Sequence, residues 1–82
     1  SNWNVRLNKK KMNIIIDYPL NNPIKFSVQN KSGIKISQII KRIDKYLIDN
    51  ENKMFGHGYS DLCICYLTWD SRFGTYVVGI DS

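Results

Sequence analysis

Between Ile34 and Asp49 the apolar residues fall at Ile36, Ile39, Ile40, Ile43, Tyr46 and Leu47. That i, i+3, i+4, i+7 spacing predicts a helix that buries one stripe. Gln38, Lys41, Arg42, Lys45 and Asp49 occupy the opposite stripe, so the outer face should be wet and basic. Ser37 is the natural N-cap, with Lys35, a poor cap, as the alternative. The periodicity ends near Asn50. Every other patterned stretch reads as strand and turn, so a single helix is expected.

Trp3 to Leu7 alternates apolar and polar, the mark of a short strand. Asn8-Lys9-Lys10-Lys11 interrupts it. A second alternation puts Met12, Ile14, Ile16 and Tyr18 on one face and Asn13, Ile15 and Asp17 on the other. Its Ile triplet suits a pleated surface. Pro19-Leu20-Asn21-Asn22-Pro23 is a turn cluster. Next come Ile24, Phe26 and Val28 inward with Lys25, Ser27 and Gln29 outward, a half-buried strand that closes a hairpin with its predecessor. From Ser60 to Trp69 apolar side chains occupy both faces, Leu62, Ile64 and Tyr66 on one and Cys63, Cys65, Leu67 and Trp69 on the other. This two-sided pattern predicts a central strand. Asp70 to Gly74 is a five-residue hairpin loop. The last strand carries Tyr76, Val78 and Ile80 on one face. The expected core is Ile14, Ile16, Phe26, Val28, Ile39, Ile40, Ile43, Leu47, Ile64 and Val78.

The order strand, strand, helix, strand, strand defines an α+β class with a four-stranded sheet, or a five-stranded one if the Trp3–Leu7 stretch joins it. Two hairpins flanking one amphipathic helix resemble the β-grasp arrangement of ubiquitin-like and immunoglobulin-binding domains. The resemblance implies a helix crossing one face of a mixed sheet, with the first and last strands paired in its middle. It is topological, and the diglycine tail of conjugated ubiquitin-like proteins is missing. At 82 residues the chain is read as one domain over 1–82, with 1–11 as an extra strand or tail. Ser1-Asn2 reads as a scar of expression that hides the true N-terminus, and the alternative is a domain cut from a longer protein.

Composition narrows the function classes. A hydrophobic fraction of 43% with 23% charged residues argues against disorder. No apolar run approaches the roughly 18 residues of a membrane span, and no signal-peptide pattern is present. Cys63 and Cys65 on one strand face lie too far apart to favour a mutual disulfide, and one C-x-C pair is too few ligands for zinc. They read as two small buried hydrophobes in an intracellular, reducing compartment, cytoplasm or nucleus. The net charge of +5 invites an anionic partner. Lys, Asn and Ile together supply thirty of the 82 residues, and all three have A/T-rich codons, so codon bias offers an alternative source of the charge.

Candidate chemistry is sparse. His57, the only imidazole, lies between Gly56 and Gly58, and with Asp61 and Cys63 or Cys65 it would make a Cys–His–Asp nucleophilic centre. Thiols inside a strand are inert, and no oxyanion-hole signature accompanies them. Gly56-His57-Gly58 lacks the helix and the Gly-x-x-x-x-Gly-Lys pattern of a phosphate loop. No enzyme activity, metal, cofactor or small-molecule substrate is expected.

Binding is the remaining class. One helix leaves part of a four-stranded sheet uncovered, so the surplus apolar surface should meet the Trp3-Val5-Leu7 segment, a second copy or a protein partner. The expected protein-binding residues are Trp69, Leu67 and Tyr76 with Phe55 and Tyr59, aromatic side chains that concentrate binding energy. The alternative is nucleic-acid binding through Arg6, Lys9, Lys10, Lys11, Lys41, Arg42 and Lys45, with Trp3, Tyr59 or Phe73 stacking on bases. No membrane partner is expected.

Overall fold

The computed structural model describes residues 3–54 and 58–81. Strand β1 runs Lys11–Ile16 and β2 Ile24–Gln29, followed by helix α1, Ile36–Asp49. Two 3-10 turns, Glu51–Lys53 and Tyr59–Asp61, precede β3, Cys63–Asp70, and β4, Thr75–Asp81. The order is therefore interrupted between helix and β3 where the sequence pattern implied a plain connection. The class is α+β, with a four-stranded mixed sheet ordered β2-β1-β4-β3. Both hairpins are antiparallel, and β1 and β4 lie parallel in the middle. Parallel neighbours need a long crossover, and the segment containing α1 lies within it.

Cross-strand pairs Met12↔Val28, Ile14↔Phe26, Ile16↔Ile24 and Ile14↔Tyr76 set the apolar face. Ile39, Ile43 and Leu47 of α1 are buried against it with Ile14, Ile16, Phe26, Val28 and Val78. Ile40 and Ile64, expected in that core, are only half-buried. The helix approaches β2 more closely than any other strand. Arg42 fixes it there. Its guanidinium stands 5.1 Å from the Phe26 ring and 5.5 Å from the Tyr46 ring. It also donates to the Ser27 carbonyl at 3.3 Å and the Tyr46 hydroxyl at 3.0 Å. Gln38 Nε2 donates to the Gln29 carbonyl at 2.9 Å. Two residues of the expected wet face thus tie the helix to the sheet.

The N-terminal stretch is not a fifth strand. Only the single bridge Arg6↔Lys35 joins it to the chain as sheet-like pairing. Its role follows from the weak cap. Lys35, not Ser37, is the N-cap, and no side chain caps the helix. The first helical N–H groups are orphans unless something accepts them. Here Ile36 N–H donates to the Val5 carbonyl at 3.1 Å and Ser37 N–H to the Trp3 carbonyl at 2.7 Å. Leu7 N–H donates to the Ile34 carbonyl at 2.7 Å, and Arg6 Nη1 to the Gly33 carbonyl at 2.7 Å. The close approach explains Gly33: φ is +99°, and a Cβ there would sit 2.9 Å from the Leu7 carbonyl oxygen.

Strand β3 departs most from expectation. It is an edge strand, and β1 and β4 are central. A register shift between Ile64 and Tyr66 leaves Cys65 without a β4 partner. An extra residue in a strand exchanges the faces of everything beyond it. Ile64, Leu67 and Trp69 therefore stand opposite Ile80, Val78 and Tyr76, on the helix side. Tyr66 turns to the other face and lies across Gly79, where any Cβ would overlap its ring. The bulge, not central position, produces the two-sided apolar pattern. Cys63 and Cys65 are exposed free thiols rather than buried hydrophobes.

Two outcomes test this packing by chemical denaturation. Ile43→Ala should cost about 2–5 kcal/mol, whereas the same change at exposed Ile48 should cost under about 0.5 kcal/mol. Gly33→Ala, forced to a positive φ against the Leu7 carbonyl, should cost about 1–3 kcal/mol. Equal costs at positions 43 and 48 would mean that α1 packs by another face.

Candidate binding groove

Val78 of β4 is buried beneath α1, but Ile64, Leu67 and Tyr76 on the same side of the β4–β3 pair are only half-buried. An apolar groove of about 530 Å³ lies beside them. Ile36 and Ile40 of α1 form one wall, and Ile64, Leu67 and Tyr76 lie along the sheet side. Trp3 and Leu7 of the N-terminal arm close one flank. Among the described lining residues the only charged side chain is Lys9, whose Nζ stands 5.6 Å from the Tyr76 ring centroid.

Leu67, Trp69 and Tyr76, three of the expected binding residues, come together at this half of the sheet. Trp69 is 54% exposed, and its ring meets Tyr76 edge-on at 5.0 Å. Tyr59 does not join them. Its hydroxyl donates to Asp44 Oδ1 at 3.0 Å, and its N–H donates to Glu51 Oε2. The Asp44 bond, with some loss of hydration, raises the Tyr59 hydroxyl above its ordinary pKa. Phe55 and His57 lie outside the described residues. Ile36, Ile40 and Ile64 belong to the groove although their spacing marks them only as core. Lys9, expected among the basic residues for nucleic acid, lies here instead.

The basic set for nucleic acid is dispersed. Arg6 and Arg42 are committed to main-chain carbonyls, and Lys45 Nζ lies 3.7 Å from Asp49. Lys10 and Lys11 project beside the arm and β1, and Lys41 from the helix, all exposed.

The two sheet edges also differ. On β2, the carbonyls of Ser27 and Gln29 are occupied by Arg42 and Gln38. On β3, among the described residues, no side chain of α1 hydrogen-bonds a main-chain group. Its sequence contains no Lys or Pro, and the bulge at Cys65 is the device that interrupts this edge against strand addition. Among the described residues no group of three potential ligands can hold a metal ion. Among the described residues no helix is long and apolar enough to cross a membrane.

Exposure of the thiols gives a direct check. Desolvation, then the contact with the Cys63 thiol, raises the Cys65 pKa, so its alkylation should accelerate at higher pH than an ordinary thiol. Both cysteines of the native chain should nevertheless label within about tenfold of the denatured rate. Protection by a factor of a thousand would place them inside the fold.

No family model, curated protein or solved structure matches this chain.

Proposed function

We propose that the chain is a non-enzymatic binding module of β-grasp-like arrangement that takes an extended segment of another protein along the groove between α1 and β4–β3. The observation that carries this reading is the apolar groove between α1, the N-terminal arm and the β4–β3 pair. The parallel pair β1–β4 between two hairpins, with α1 on one face, supports the β-grasp comparison. A mostly apolar groove lined by few polar groups suits recognition more than proton transfer, which needs positioned acid and base groups. The exposed Trp69 ring, edge-on to Tyr76 of the groove lining, supplies anchoring area for an extended segment. The rival nucleic-acid reading has less to draw on, since two of the three arginines are engaged with main-chain carbonyls.

Selection of random peptides displayed on phage against the native domain tests this. Enriched peptides should be apolar, and should bind Ile40→Glu at least about tenfold more weakly. A matching thermal melt would show that Glu, a good helix former, leaves the fold intact. No enrichment, or peptides indifferent to Ile40→Glu, would contradict the reading. So would retention of mixed-sequence nucleic acid at physiological salt in place of peptide.

A further inference from the structure

Lys9 is exposed to solvent in the free chain, yet it is the one charged side chain among the described lining residues of the groove. Its main chain is fixed, because the Lys9 carbonyl accepts the Ile34 N–H at 2.8 Å. Its Nζ lies toward the Tyr76 ring, part of the same lining. Neither ion pair among the described residues includes it: Lys45 takes Asp49 and Arg72 takes Asp70. Asp44 and Glu51 are likewise engaged, both with Tyr59.

An apolar segment filling this groove expels water from around Nζ. An ammonium group stripped of water and left unpaired is penalised heavily, while a carboxylate in contact offsets much of that loss. A wholly apolar segment is therefore disfavoured by Lys9 itself, and one bringing an acid at that point is not. We propose that the groove selects an apolar protein segment carrying an acidic side chain placed to meet Lys9 Nζ above Tyr76. This rests on the groove being the binding site. The net charge of +5 acts in the same sense, drawing acidic partners and opposing approach of a second copy.

The test runs the peptide selection in parallel on the native chain and on Lys9→Met, which keeps the apolar stem and removes the charge. Native selections should enrich Asp or Glu at a fixed offset from the apolar residues, and Lys9→Met selections should lose that preference. For one native-selected peptide, Asp→Asn should weaken binding to the native chain about tenfold and leave binding to Lys9→Met nearly unchanged. Lys10→Met, altering a lysine outside the groove lining, should behave as the native chain. Acid-free peptides that bind native and Lys9→Met alike, yet fail on Ile40→Glu, would overturn the Lys9 inference and leave the groove standing. Peptides indifferent to Ile40→Glu would remove the groove and the inference together. Enrichment of the chain's own β3 sequence, with dimers in sedimentation, would replace the acidic partner by a second copy.

Discussion

The hold of Arg42 and Gln38 on β2 decides the rest of this structure. A helix is about 10–12 Å across with its side chains, whereas four strands spaced about 4.8 Å apart make a sheet about 19 Å wide. One helix therefore covers about half of such a sheet, and something must choose the half. Here the choice is made by polar ties, Arg42 to the Ser27 carbonyl and Gln38 to the Gln29 carbonyl, and by Arg42 lying over Phe26 and Tyr46. These contacts place α1 toward β2 and shield that edge. The same placement leaves Leu67 and Tyr76 as sheet-side lining of an open groove, with Trp69 packed beside Tyr76. Packing on one side and openness on the other are one consequence of helix position.

Much of the architecture is legible in the sequence because two periodicities are clean. The 3.6-residue stripe from Ile36 to Leu47 and the alternation from Ile24 to Gln29 each have one solution, and the structure adopts both. The alternation of Ser60 to Trp69 has no single solution, because a bulge at Cys65 inserts one residue without leaving a turn signal. Proline or paired glycines would have announced it. Without them, Cys63, Cys65 and Tyr66 read as inward residues and the edge strand reads as central. The N-terminal arm is illegible for a related reason. Its carbonyls cap α1 through the main chain, and main-chain acceptors carry no residue signature.

The site is half legible. That one helix leaves apolar sheet surface uncovered follows from size alone, and Leu67, Trp69 and Tyr76 follow from the alternation of β3 and β4. The groove walls do not, because Ile36, Ile39, Ile40 and Ile43 belong to one stripe and all line the groove, and only the partial burial of Ile36 and Ile40 distinguishes them from the buried Ile39 and Ile43. Tyr59 illustrates the converse error. An exposed-looking aromatic after a glycine is drawn to the helix by Asp44, a partner that sequence distance conceals. Arg42 is similar: on the helical wheel it belongs to the solvated face, but its stem and fork reach the aromatic pair below.

The proposed binding site is the groove between α1 and the β4–β3 pair, and not the basic face of α1. Amide and side-chain chemical shifts of the isotope-labelled domain, recorded while a selected peptide is titrated in, test it residue by residue. The account predicts that the largest shifts fall on Ile36, Ile40, Ile64, Leu67 and Tyr76, with Lys41 and Lys45 unmoved. Shifts concentrated on Lys41 and Lys45, with the groove residues unmoved, would contradict it.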